Sequence, residues 1–242
     1  MSPPVLLVSP HPDDLAWSLG GTVARLAAAE VPLSAVTLFT RTTYAPGSPA
    51  HGDAGAASLV RAEEDARWAA LTGVALERFD LPDASLRGYT DDTEMGAPPA
   101  PAIVAEVAAR LSAAVAAVCP QWILVPLAVG GHVDHAAVRQ AVALLPGVPD
   151  VLWYEDLPYA AGCAGEFTAH PVLVEVDRCW AATEAGVRCY PSQEPAAILP
   201  EIRRHRAAVS GERLWAPTHA AADAFRQTLT AEAPKRLDLQ LW

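Results

Sequence analysis

Two short stretches of this chain crowd imidazole and carboxylate side chains together. They are Ser9-Pro10-His11-Pro12-Asp13-Asp14 near the start and Gly130-Gly131-His132-Val133-Asp134-His135 past the middle. Such nitrogen and oxygen donors suit a divalent metal, and a catalytic zinc takes three protein ligands with one position left for water. His11, Asp14 and His135 supply such a set. Asp13 is then left over as a carboxylate able to take a proton from that water. His132 would face the scissile group, with Asp134 fixing its orientation, because histidines at metal sites need such partners. The spare acid–base groups separate a catalytic centre from a structural one, so the chain reads as a metal-dependent hydrolase. Taken singly, each motif has a plainer reading. An Asp pair after a strand can cap the next helix, and His-x-Asp-His can be a solvated turn.

The elements that must position these groups follow from the apolar pattern. Strands are expected at Val5–Val8, Leu33–Thr40, Leu76–Leu81, Trp122–Val125, Val151–Tyr154 and Val172–Val176. Helices are expected at Leu19–Glu30, Leu59–Leu71, Ile103–Val118, Val133–Leu145, Arg178–Val187 and Pro195–Val209. Alternating strands and helices, with short all-apolar strands, predict an α/β fold: a Rossmann-like, doubly wound, mostly parallel sheet. Ligands bind at the carboxyl ends of strands in such sheets, and both histidine clusters fall there. The chain reads as one domain over 1–242, with 171–242 as a C-terminal elaboration. The loop from Thr42 to Ala57, carrying His51 and Asp53, has the composition of a mobile flap.

Composition narrows the classes. Of 242 residues 52% are hydrophobic, enough for a large core, and the formal net charge is −11. Lys235 is the only lysine, so no basic face offers itself to nucleic acid. Arg203, Arg204 and Arg206 around His205 read as a solvated helix face. Cys119, Cys163, Cys179 and Cys189 form no CxxC and read as reduced, partly buried thiols of a cytoplasmic protein. Leu111–Val129 carries no charge, but Pro120 and Pro126 split it into a helix end and a strand rather than a membrane span. No GxGxxG or GxxxxGK[ST] follows an expected strand, which disfavours nucleotide binding. The expected partner is a small molecule, with no nucleic acid or membrane, and a homo-oligomer is compatible with the sequence.

His11-Pro12-Asp13-Asp14, Gly20-Gly21 and His132-Val-Asp-His135 resemble the signatures of the PIG-L/LmbE-like zinc-dependent deacetylases, over roughly residues 4 to 160. The resemblance implies Zn2+ (or another divalent transition metal) on His11, Asp14 and His135, with Asp13 as general base. It implies His132 as oxyanion stabiliser or acid. Arg61-Ala-Glu63-Glu64 is similar to the family's Arg-x-x-Glu helix, whose arginine helps hold a sugar; Leu81-Pro82-Asp83 is similar to a loop whose aspartate faces substrate. The alternatives are a surface arginine and a turn residue. Two departures concern the substrate. Leu15, followed by Trp17, stands where many members have Glu, and Gly130 stands where some place a tyrosine that helps the oxyanion. The phenol would then come from Tyr154, Tyr159 or Tyr44, and Trp17 and Tyr159 join the substrate-binding candidates. The Tyr154–Tyr159 segment reads alternatively as a helix or turn entry capped by Asp156. The implied activity is removal of an N-acyl group from a small amino sugar or specialised metabolite. Cleavage of another amide, as in thiol-conjugate amidases, or cyclisation or condensation at the same metal, is the variant reading. A metal-binding protein without turnover is the reading from another class.

Overall fold

The computed structural model describes residues 3–89, 95–147, 150–161 and 168–230. Strand β1 (Val5–Ser9) is wholly buried, with Val5 and Leu7 packing into one apolar cluster and Leu6 and Val8 into another. A strand that is apolar on both faces must lie inside a covered sheet. β1 pairs in parallel with β2 (Leu33–Thr37) on one side and β4 (Trp122–Pro126) on the other; Val5 stands opposite both Leu33 and Trp122. β3 (Ala75–Arg78) and β5 (Asp150–Tyr154) extend this parallel set outward.

The seven-stranded order is β3-β2-β1-β4-β5-β7-β6. Here β6 is His170–Val174 and β7 is Glu212–Ala216, with β7 antiparallel to both neighbours. β7 lies beyond the last expected element, the helix Pro195–Val209. Its first two residues are charged and paired inside, Glu212 with Arg206 and Arg213 with Glu155. Helix α1 (Asp14–Ala28) covers one face of the sheet, and α3 (Pro101–Val118) and α4 (Val133–Val142) cover the other. The chain therefore moves from β1 to opposite sides at the β1/β4 boundary, the switch point where doubly wound sheets bind ligands.

Helix α2 (Ala54–Thr72) starts earlier than expected because Asp53 caps it, accepting from the Ala56 N–H at 2.8 Å, and Gly73 ends it at φ 71°. By length and composition α3 could cross a membrane, but Val104, Val107, Leu111 and Ala114 pack it onto the sheet. It ends at Cys119, which is exposed rather than buried; Cys179 is buried, Cys189 half-buried, and Cys163 lies outside the described residues. Beyond β6, α5 (Trp180–Val187), α6 (Pro195–Val209) and α7 (His219–Thr230) complete the fold.

The glycine doublet in α1 is a packing feature. A Cβ on Gly21 would lie 2.6 Å from Val176 and 3.0 Å from Glu212. That closeness lets the buried Glu212 carboxylate accept from the Gly21 N–H (2.8 Å), the Thr22 N–H (2.7 Å) and the Thr22 hydroxyl (2.6 Å), while pairing with Arg206. The arginine-rich stretch is a solvated face only in part: Arg203 and Arg204 are exposed. Arg206 and His205 are buried, and Arg203 stacks on Trp180 with 4.3 Å from guanidinium to ring centre.

Candidate active site

After β1 the chain turns sharply into α1. Asp13 sits at φ 113°, a backbone conformation that residues with a side chain seldom adopt and that costs about 1–3 kcal/mol. Local bonds hold the turn: Ser9 Oγ donates to the His11 carbonyl at 2.6 Å, and the His11 N–H donates to Asp14 Oδ2 at 2.7 Å. Arg61, reaching across from α2, donates to the Pro12 carbonyl and lies 3.1 Å from Asp13 Oδ1. After β4, Gly130 and Gly131 take positive φ (86° and 77°) and deliver His132 as the cap of α4, its Nδ1 accepting from the Asp134 N–H at 3.2 Å. That bond fixes the imidazole proton on Nε2.

The two turns converge. Ligand atoms of His11, Asp14 and His135 lie within 4.8 Å of one another. His135 is fully buried, and its Nδ1 lies 2.8 Å from Asp156 Oδ2, so it donates there. Its Nε2, 3.5 Å from Asp14 Oδ1, has no hydrogen-bond partner. An unpartnered buried imidazole nitrogen facing a carboxylate is what a divalent cation would complete. His11 is held likewise, with Nε2 2.9 Å from Asp134 Oδ2 and Nδ1 turned toward Asp14 at 3.5 Å. His11, His132 and Asp134 form a second close group, but the Asp134 carboxylate is already engaged by His11, Arg87 and the Ala84 N–H. The first set fits a metal better.

The Asp134 carboxylate meets His11 Nε2, while its hydrogen bond to His132 runs through the main-chain N–H. Asp156, read from sequence as a cap, is instead the partner of His135 and also accepts from the Val129 N–H at 3.2 Å. Arg61 was expected to hold substrate. It lines the cavity, but it is 4% exposed and its guanidinium is engaged by Asp13, the Pro12 carbonyl and the Tyr44 carbonyl. Tyr154 is removed from the candidate phenols, because it is buried with its hydroxyl donating to the Val8 carbonyl at 2.9 Å.

The buried charges respond to one another. Burial pushes Asp13 up to about 7, with Arg61 opposing and Asp14 reinforcing. Burial acts to raise Asp14 too, but His135 and His11 outweigh it and bring it down to about 2. For His11 burial acts downward, yet Asp134 and Asp14 together lift it to about 10. Burial, aided by the neighbouring imidazoles, lowers His132 to about 3, so it stays neutral. Asp14, Asp134 and Asp156 surround His11 and His135 with negative charge, which a bound cation would offset.

Above the ligand set opens a cavity of about 430 Å³. Trp17, Phe39, Tyr44, Asp83, His132 and Tyr159 line it, so all four expected substrate contacts (Arg61, Asp83, Trp17, Tyr159) face it. Tyr159 packs its ring 5.5 Å from that of His132 and 5.3 Å from that of His135. Gln193, Glu194 and Glu201 complete the wall, so the C-terminal elaboration helps build the site. The loop expected as a flap stands beside the cavity and is tied down: the Gly47 N–H donates to the Ser192 carbonyl at 2.8 Å and the Thr43 N–H to Ser85 Oγ at 3.0 Å.

Fold and centre together define a class: doubly wound α/β proteins with a His/Asp pocket at the switch point that could hold a metal ion. The chain belongs to the PIG-L family, whose model, described as GlcNAc-PI de-N-acetylase, matches residues 6–145. It is 44% identical over 162 residues to a 2'-N-acetylparomamine deacetylase of Streptomyces fradiae, covering 64% of this chain and 57% of that relative's length. Solved structures share the fold. A deacetylase of the teicoplanin biosynthesis pathway superposes with TM-score 0.73 at 23% identity, over 87% of this chain and 96% of its own. A 4-carboxy-2-hydroxymuconate hydratase of Pseudomonas putida superposes with TM-score 0.60 at 19% identity, over 97% and 92%.

Proposed function

We propose that this chain is a metal-dependent deacetylase that hydrolyses the N-acetyl amide of a small amino sugar. The observation that carries this reading is the floor of the cavity, where a three-residue ligand set stands beside Asp13, a buried carboxylate outside that set. Family membership and the relative acting on an N-acetylated amino sugar support the bond and the substrate class. Zinc is the metal we assign to His11, Asp14 and His135, since two imidazoles and a carboxylate suit it.

When bound, that cation supplies Lewis acidity and makes a water molecule far more acidic. Asp13 takes the proton from the water as its oxygen bonds to the acetyl carbon. His132, neutral and with its proton on Nε2, donates a hydrogen bond toward the carbonyl oxygen as negative charge develops there. The C–N bond then breaks, Asp13 passes its proton to the departing nitrogen, and acetic acid and the amine leave, to become acetate and ammonium in water. One water is consumed and the base is restored.

The test is the metal content of the purified protein together with acetate release from 2'-N-acetylparomamine and N-acetylglucosamine, with and without chelator. About one zinc per chain and chelator-sensitive release are expected. Release that survives complete metal removal, or a zinc-loaded protein inert on both compounds, would overturn the reading.

A further inference from the structure

Helix α2 carries the Arg61-Ala-Glu63-Glu64 motif, whose two ends reach different partners. Arg61 engages Asp13. Glu64, wholly buried, turns instead to the segment just before α6. Its Oε1 accepts from the Ser192 N–H at 2.7 Å and its Oε2 from the Ser192 hydroxyl at 2.6 Å. The next residue of α2, Asp65, accepts from the Tyr190 hydroxyl at 2.9 Å. From the other side the Gly47 N–H donates to the Ser192 carbonyl at 2.8 Å. The fit is close, since a Cβ on Gly47 would lie 2.6 Å from the Pro191 carbonyl oxygen. The hydrolytic steps make no use of this anchoring.

What the anchoring fixes is the side chain of Gln193, which lines the cavity and is 7% exposed. Its Nε2 lies 3.0 Å from Ser192 Oγ. The Ser192 hydroxyl has a single proton, already given to Glu64, so toward Gln193 its oxygen can only accept. The network therefore assigns the two ends of the amide: Nε2 donates to Ser192, and Oε1 is left over. Among the described residues Oε1 accepts from no protein group. A carbonyl buried this deeply in a cavity wall, without a protein donor, is a place for a donor on a ligand. Because it is pinned beforehand, little rotamer freedom is lost when that donor arrives.

We propose that Gln193 is a specificity-determining residue: its Oε1 accepts a hydrogen bond from one hydroxyl of the substrate sugar. Glu64, acting through Ser192, is the positioning residue that turns the amide the right way. One helix then aligns both the base, through Arg61, and the sugar, through Glu64. Gln193 lies beyond residues 6–145, so membership of the family assigns it no role. A site built to bond a hydroxyl rejects the analogue that lacks it, which makes the contact selective. The inference rests on the deacetylase reading for the ligand being a sugar, but not for the chemistry.

The test pairs changes in the protein with changes in the ligand. N-acetylglucosamine and each of its monodeoxy analogues are compared on zinc-loaded wild type, Q193L and S192A. Q193L is expected to raise the KM for N-acetylglucosamine about fivefold to tenfold, with kcat within about twofold. One deoxy analogue should show that same loss on the wild type and no further loss on Q193L. The other analogues should keep the full penalty. S192A removes the relay without altering Gln193, and it should give a smaller loss confined to the same hydroxyl, with zinc content unchanged. A purely structural role would not single out one hydroxyl. Calorimetry of glucosamine, the amine left after deacetylation, repeats the comparison without turnover. Penalties spread evenly over every analogue, a loss in kcat with KM kept, or no binding of either sugar would overturn the proposal. Glucosamine binding that weakens in Q193L, with no turnover of any probe, would uphold the sugar contact while refuting the deacetylase.

Discussion

The Asp156 carboxylate lies 2.8 Å from Nδ1 of His135, and this one contact decides which nitrogen of the ring faces Asp14. With Nδ1 donating to Asp156, Nε2 is the nitrogen turned toward the ligand set without a hydrogen-bond partner, and so the one that would give up its proton to a metal. Replacing the carboxylate by an amide of the same shape weakens that preference without opening a hole. D156N is expected to lower zinc affinity about 10–100-fold, read by competition against a chromophoric chelator. An affinity equal to wild type would reduce Asp156 to a turn residue.

Arg61 tests a different link. Its guanidinium pins both the carboxylate of Asp13 and the carbonyl just before it, across a turn held at an unfavourable φ. The expected consequence of R61L is a fall in kcat of about tenfold to hundredfold, within what a placed base contributes, with KM changed far less. R61K, which keeps charge but not the planar fork, should recover part of the loss. Both variants need zinc content and melting temperature measured alongside, because breaking a buried pair costs about 3–5 kcal/mol. A rise in KM with kcat preserved would mean that Arg61 grips the sugar, as the family resemblance implies.

Gly130 is irreplaceable for two reasons that act together. Its φ is 86°, and a Cβ there would lie 2.8 Å from the Cβ of Tyr159. Tyr159 thus occupies the space that a side chain at 130 would need, against His132 and His135. G130A is expected to destabilise the protein by about 1–3 kcal/mol and to lower kcat/KM by pushing Tyr159 aside. Thermal unfolding and steady-state kinetics read the two effects separately. Wild-type values in both would show that the ring has another place to go.

The central strands were legible because β1 and β4 are apolar on both faces, and only a covered parallel sheet accepts such runs. The ligand set was legible because its members are concentrated in two short motifs after those strands. What sequence hid was the buried polar framework, whose partners are far apart along the chain. Asp156 meets His135, Glu155 meets His205, and Glu212 meets Arg206 and the middle of α1. A charged residue read alone signals solvent, and only its partner reveals that it is interior. For that reason β7 lies outside the expected strands, and the surface read at Arg203–Arg206 holds for Arg203 and Arg204 but not for His205 and Arg206. The second role of Asp134, its carboxylate holding His11, depends on a loop contact with Arg87 and Ala84 that no spacing announces.

Glu155 makes that hidden framework measurable. Its carboxylate is almost fully buried and accepts from His205 Nε2 (2.9 Å), Arg213 Nε (2.6 Å) and Trp215 Nε1 (3.0 Å), tying β5 to β7 and α6. Burial acts to raise its pKa, but these three donors outweigh it and hold it below the ordinary 4.5. A carboxylate whose pKa is lower in the folded than in the unfolded state stabilises the fold above the unfolded value, and that contribution fades as pH falls through the folded one. E155Q should therefore cost about 3–5 kcal/mol near neutral pH, with the gap to wild type closing as the pH drops below about 4.5. Denaturant unfolding of both proteins from pH 7 downward reads the difference directly. A gap that stays constant with pH would mean that Glu155 contributes shape and hydrogen bonds, but not charge.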